Sequence, residues 1–340
     1  MEAMTKRERM AAAIAGADVD RVPTCFYNHN NAIEGDTAAI APYLLTWQEK
    51  YDWDFVKVAL RPSYYAEAWG CEYTFHSDTV PEQVRYTVHQ AADFTKLERL
   101  DPTIGVFGQH LDVVKELNEA LKGQVPFVTT VFNPISVAGR LSGGVVRTES
   151  EYKNLLRLID EDADAVLQGL TVITDVLADY VRAAVRAGAD GIFLTTSVWS
   201  ADVISEEAYA KFGKPFDLAV LNAAKDAGAT MNVMHICREN IFLDLMSDLP
   251  MDIINYESTS PRNPSISEVI TKTNKAVWGG LDHKKTLLDG PAEAIKSEVL
   301  DALNQTGGRR FILGNGCTSA RAIPEENYMA VKEAAASWRK

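Results

Sequence analysis

The chain is 340 residues long, 46% hydrophobic and 24% charged, with 34 Lys+Arg against 47 Asp+Glu and a formal net charge of -13. This composition excludes disordered, collagen-like and coiled-coil classes, and the negative charge disfavours a nucleic-acid backbone as partner. No apolar run approaches the ~20 residues that a membrane-spanning helix needs, and the charged start from Met1 to Arg9 lacks a secretion-signal core, so a cytoplasmic protein is expected.

Short apolar runs recur along the chain: Val22–Phe26, Asp54–Val58, Val125–Phe132, Gly191–Thr195, Met231–Ile236, Asp252–Asn255, Ala276–Gly280 and Phe311–Leu313. They lack the alternation of a half-solvated sheet, so each reads as a strand buried on both faces. Between them lie helical stretches. Thr148-Glu-Ser-Glu151 has capping-box spacing, and a long helix is predicted from about Asp164 to Ala187. Pro324 is predicted to begin the last helix. Helix ends such as Arg186-Ala-Gly-Ala-Asp190 and Asp226-Ala-Gly-Ala-Thr230 place Gly at the left-handed position after a helix. Eight strands alternating with helices predict an α/β chain folded as a (β/α)8 TIM barrel, a single domain over 1–340. The aromatic-rich segment from Leu60 to about Leu100 is expected to add an N-terminal lid segment, a small lid or hairpin over the barrel mouth, and Asn133–Gly144 reads as a mobile loop.

In such a barrel the chemistry lies just past the carboxyl ends of the strands. His235-Ile-Cys237 closes the fifth run, Glu257 follows the sixth and Cys317 follows the eighth. Residues two apart on a strand leave the same face with Cα atoms ~7 Å apart, so His235 and Cys237 can hold two corners of one ion. With Cys317 and Glu257 on the same rim, the donor set suits Zn²⁺. Cys25 and Cys71 read as packing thiols. Asp282 and His283, after the seventh run, are candidates for catalysis or ligand support. Tyr27 and His29 after the first, Asn133 after the third, Thr196 after the fourth, and Tyr64 in the lid are candidates for substrate contact.

Over essentially its whole length the chain resembles the uroporphyrinogen decarboxylase superfamily. The resemblance rests on Arg21-Val-Pro-Thr24, on Tyr65-Ala-Glu-Ala-Trp-Gly70, and on the ending from Leu313 through Gly-Asn-Gly-Cys317 to Asn327. Its His-x-Cys…Cys pattern is similar to the zinc-dependent corrinoid methyltransferase branch, which includes methylcobalamin:coenzyme M methyltransferases. The stretch from His235 to Ser260 is also similar to the zinc region of cobalamin-independent methionine synthase, which singles out Glu257 as a displaceable ligand. The chain departs from true decarboxylases in two places: Phe26-Tyr-Asn-His-Asn30 carries no Arg, and Ala59-Leu-Arg-Pro62 stands where the family has a catalytic Asp.

The resemblance implies a zinc-dependent methyltransferase that moves a methyl group between a corrinoid and a zinc-activated thiol such as coenzyme M. The corrinoid would be methylcobalamin or a corrinoid carrier protein. One alternative is a corrinoid-dependent O-demethylase acting on methyl ethers or methanol with the same zinc; another is a decarboxylase-type lyase. The partners expected are a corrinoid carrier protein and a small thiol or methylated substrate, with no nucleic acid and no membrane.

Overall fold

The computed structural model describes residues 2–144 and 151–338. Ten strands form in chain order: β1 (Thr24–Cys25), β2 (Val56–Val58), β3 (Glu72–Thr74), β4 (Glu82–Arg85), β5 (Phe127–Phe132), β6 (Gly191–Thr196), β7 (Val233–Ile236), β8 (Ile253–Tyr256), β9 (Ala276–Leu281) and β10 (Phe311–Asn315). Eight pair in parallel in the order β1-β10-β9-β8-β7-β6-β5-β2, while β3 and β4 make a separate antiparallel hairpin. Helices follow most of the barrel strands, so the molecule is a nearly closed (β/α)8 barrel. No helix among the described residues is long and apolar enough to cross a membrane.

The barrel closes between β1 and β2 through Asp54. Its backbone N–H donates to the Thr24 carbonyl at 2.8 Å. Its fully buried carboxylate accepts from the Thr24 N–H at 2.7 Å, from Arg9 at 2.7 Å and from Arg21 at 2.7 and 2.9 Å. Tyr27, Phe55, Val128, Phe193, Val233, Trp278 and Ile312 fill the interior, and a larger apolar layer packs the helices against the outside of the wall. The predicted turn glycines behave as their spacing requires: Gly188 and Gly228 take φ of 117° and 96°.

The long predicted helix spans Ala163–Arg186, capped by the Asp162 carboxylate. Pro324 is the residue before the last helix, Glu325–Ser337. The capping box assigned to Thr148–Glu151 lies, except for Glu151, outside the described residues. Two expectations need correction. Residues 134–141 are a buried helix, Pro134–Leu141, and not a mobile loop. Asn133 caps it by accepting from the Ser136 N–H, and Pro134 takes the first turn, where a missing N–H costs nothing. The Leu60–Leu100 segment is also not one lid. Tyr64 and Tyr65 are buried against Phe107 and Tyr180 of the outer helix layer, and both hydroxyls donate to the Thr130 carbonyl. The β3–β4 hairpin lies at the carboxyl-end face, where Gln83 donates to the Arg140 carbonyl and Phe75 packs beside Gly35.

Asn133 also ties its helix to the next layer. Its Nδ2 donates to both oxygens of Asp217, at 3.0 and 3.2 Å, and Trp199 Nε1 and the Tyr209 hydroxyl donate to the same carboxylate. Burial pushes Asp217 up to about 7 from the ordinary 3.8, against the pull of Tyr209 and Asn133. Between those two values the folded protein keeps a proton that the unfolded chain has released, so stability falls as pH rises through that window. Asp217→Asn should flatten this slope in a series of thermal midpoints against pH. Breaking the Asp54 seam is a harsher change. Asp54→Asn removes the one fully buried carboxylate that Arg9 and Arg21 share, leaving Arg9 only Asp20, and should cost about 3 kcal/mol in denaturant unfolding.

Candidate metal centre

Three strand ends converge to make the site. β7 pairs with β6 so that His235 lies opposite Thr195, and the Cys237 N–H extends the ladder one step by donating to the Thr196 carbonyl at 2.9 Å. Strand alternation then turns His235 and Cys237 to the same side. The His235 ring stacks on Phe193, with centroids 5.0 Å apart and planes 22° apart, which sets its orientation. β10 delivers Cys317 through Gly316. A Cβ at that position would run into the Tyr256 carbonyl and the Glu257 Cα at the end of β8, so only glycine lets the chain cross so closely.

The result is a tight cluster. Cys237 Sγ and Cys317 Sγ are 3.2 Å apart, and Cys317 Sγ lies 3.6 Å from His235 Nε2. The three ligand atoms fall within 4.8 Å of one another, and a second group, Glu257, His283 and Cys317, meets the same limit. Cys317 is common to both. Glu257 is turned toward Lys284, whose Nζ lies 2.8 and 2.6 Å from its two oxygens. Asp282 shapes that turn, its Oδ1 accepting from the N–H groups of Lys284 and Lys285.

The hydrogen bond to Cys317 and burial both push the Cys237 thiol well above the ordinary thiol range. Two thiolates at this separation repel each other, and a divalent cation between them reverses that balance. Burial pushes His283 down to about 4, with Glu257 pulling the other way, so it is a neutral imidazole at physiological pH. Burial works against the Lys284 charge, and Glu257 more than offsets it. One imidazole, two thiols and an adjacent carboxylate are the donors that Zn²⁺ takes, and the convergence of their ligand atoms fits such an ion.

The floor of the cluster is a pair of buried asparagines that sequence reasoning missed. Asn315 Nδ2 donates to the carbonyls of Tyr27, at 3.0 Å, and Cys317. Asn255 Nδ2 donates to the carbonyls of Trp278, at 2.7 Å, and Asn315, at 3.0 Å. The Tyr27 hydroxyl donates to Asn255 Oδ1 at 3.3 Å. The available signal was a lone amide inside each apolar strand, Ile253-Ile-Asn-Tyr256 and Ile312-Leu-Gly-Asn315, since a buried amide must find partners.

The other candidates separate by place. Tyr27 belongs to the barrel interior below the cluster, where Lys57 Nζ lies over its ring at 4.6 Å. His29 pairs with Glu34, and although burial disfavours the Glu34 carboxylate, His29 and Lys57 hold its pKa below the usual range. Asn133 is a cap and an Asp217 partner. Thr196 Oγ1 accepts from the Val198 N–H, and its carbonyl holds Cys237. Tyr64, placed at the mouth by sequence, is in the outer layer because its ring packs against His110 and Phe107. Cys25 and Cys71 are buried, and burial raises both thiols. Also missed was Arg238, beside Cys237, which donates to the buried Glu151 at 2.7 Å. Because Asn315 holds the Cys317 backbone, Asn315→Ala should weaken the affinity of the three donors for added Zn²⁺ by about 10–100-fold, as read by competition with a chromophoric chelator.

The chain has relatives among known proteins. A methylcobamide:CoM methyltransferase, MtbA, of Methanosarcina mazei is 23% identical over 100% of both chains, and an MtaA enzyme of Methanosarcina barkeri is 25% identical over 97% of each. The solved structure of a methyltransferase from Methanosarcina mazei superposes with a TM-score of 0.83 at 23% identity, covering 98% of each chain, and so shares the fold. The family model described as Uroporphyrinogen decarboxylase (URO-D) matches residues 5–338. With that match over nearly the whole barrel, the chain belongs to the uroporphyrinogen decarboxylase family.

Proposed function

We propose that this protein is a corrinoid-dependent methyltransferase that moves a methyl group between a corrinoid and a small thiol, using Zn²⁺ held by His235, Cys237 and Cys317. The observation that carries the reading is the convergence of those three donors in a chain that aligns end to end with methylcobamide:CoM methyltransferases. Glu257 is the displaceable fourth donor, within reach of Cys317 and held by Lys284 when turned away. Zn²⁺ in this place supplies a Lewis acid that favours the thiolate form of a bound thiol at neutral pH.

The chain's own residues do the rest. Cys237 and Cys317 would hold the ion as thiolates, and their negative charge would temper its electrophilicity so that a substrate sulfur keeps its nucleophilicity. Phe193 fixes the His235 ring, and Asn315 holds the Cys317 loop, so neither donor has to be reordered for reaction. A corrinoid carrier protein would present its methyl group at the carboxyl-end face, where the hairpin lies. The protein would act in the cytoplasm, where thiols stay reduced. A lyase reading has less support: no Arg occurs in Phe26–Asn30, and the nearby Arg61 is occupied by Glu67 at 2.9 Å.

Purified protein should carry about one zinc per chain. Mixed with methylcobalamin and a panel of thiols, it should demethylate the corrinoid, followed by the visible spectrum. Cys237→Ser and Cys317→Ser should each lose zinc and lower the rate by more than about 100-fold. Zinc-loaded protein that is silent with every thiol, yet removes methyl groups from ethers or methanol with Co(I), would replace this reading by the O-demethylase. Full activity without metal would overturn the zinc assignment itself.

A further inference from the structure

A second polar feature of the same barrel face is not used by the metal centre. Arg140 lies in the last turn of the Pro134–Leu141 helix and is only 3% exposed. A guanidinium has five N–H donors. Here the single hydrogen bond it donates among the described residues is a long one, 3.4 Å, from Nη1 to the Ser136 carbonyl, and its buried Nε has no partner. Among the described residues no carboxylate pairs with it, whereas Arg9 meets both Asp20 and Asp54, and Arg61 meets Glu67. The ring of Phe132, 4.0 Å from the guanidinium carbon, and the helix's carboxyl end favour the positive charge but leave the donors unsatisfied. A buried cation with free donors is costly unless something anionic completes it.

Arg140 lines a small, partly open cavity together with Pro62, Ser63, Tyr73, Val80 and Pro81, so the β3–β4 hairpin forms one side of it. The Tyr73 hydroxyl accepts from Gln83 Nε2 at 2.8 Å, which leaves its own proton to donate. The field of Arg140 reaches that hydroxyl: burial raises the Tyr73 pKa, and the arginine charge opposes it. A polar chain connects this place with the metal donors. Ser136, one turn before Arg140, meets the Tyr152 hydroxyl at 2.9 Å, and Tyr152 meets Ser197 at 2.7 Å. Ser197 donates to Glu151 at 2.9 Å, and Glu151 pairs with Arg238, next to Cys237.

We propose that this cavity is an oxyanion subsite, in which Arg140, with Tyr73 as a second donor, binds a carboxylate, sulfonate or phosphate group of a small molecule. A planar guanidinium suits all three through paired N–H···O contacts. The inference rests on Arg140 and its surroundings and stands whether or not the metal reading holds.

The test uses the full chain with acetate, methanesulfonate, sulfate and inorganic phosphate as probes, at ionic strength matched with chloride. The thermal midpoint should rise with one or more probes, and the Arg140 Nε–H resonance of ¹⁵N-arginine-labelled protein should shift in a saturable way. Tyr73→Phe, which keeps the ring, should weaken that binding about 10-fold, and Arg140→Met should abolish it while zinc content stays at the native level. Organic acids binding more tightly than inorganic ions of equal charge would identify the acid group of an organic ligand; equal binding would identify a free oxyanion. Absence of any resonance shift in the unmodified chain, or native binding by Arg140→Met, would overturn the proposal. Because the resonance is read in unmodified protein, a variant that fails to fold does not remove the test.

Discussion

The donor cluster depends on one constraint: the ends of β7, β8 and β10 must meet at one place in the barrel mouth, where their backbone groups are buried and need partners. Asn255 and Asn315 meet it. Their amide groups bond the carbonyls of Tyr27, Trp278, Asn315 and Cys317, linking the segments after β1, in β9 and after β10 around one polar knot. Each such bond contributes only about 1 kcal/mol net, but leaving a buried amide or carbonyl unpaired costs about 1–3 kcal/mol. The knot is therefore an all-or-none arrangement that sets where Cys317 can sit. Gly316 completes it, because its missing side chain lets the loop pass against the end of β8.

That geometry gives the site an unusual electrostatic character. Two thiols, two imidazoles and a carboxylate share a small volume, and Cys317 belongs to both donor groups. In the arrangement described, the positive charge nearest this set comes from Lys284, which occupies both oxygens of Glu257. The carboxylate thus has two competing partners, the lysine and any cation among the sulfurs. A donor set poised in this way can change its coordination without moving the barrel strands, because the exchange involves side chains at strand ends and the wall is held by the ladder and by Asp54.

The order of the strands and the ligand-bearing positions were legible because both depend on local pattern. Runs of β-branched and apolar residues mark buried parallel strands, and the barrel's regular βα alternation fixes which residues fall just beyond each carboxyl end. That rule puts His235, Cys237, Cys317 and Glu257 at strand ends, and the family resemblance singled them out as candidate ligands. The rule does not say what a side chain does once there. Asn133 and Thr196 stand at strand ends and serve as a cap and as a backbone anchor, because buried turns there need their hydrogen bonds met first. Tyr64 was misplaced because an aromatic cluster looks alike whether it covers a pocket or fills the layer between wall and helices. Residues 134–141 read as a loop from their Gly and Ser content, yet burial on all sides and an Asn133 cap made them a helix.

The opening numbers, an acidic chain of 340 residues with four scattered cysteines, already fitted a barrel with free thiols. Sequence by itself determined the strand count, the positions available to chemistry and the soft donors among them, since these follow from residue type and spacing along one dimension. Tertiary structure alone decided that Cys317 is shared between two donor groups, that Lys284 holds Glu257, that two asparagines form the floor, and that Arg140 is buried with no carboxylate beside it among the described residues. Cys237 with Cys317, Glu257 with Lys284 and Tyr27 with Asn315 are far apart along the chain, and only the closing of the barrel brings such distant segments within bonding distance.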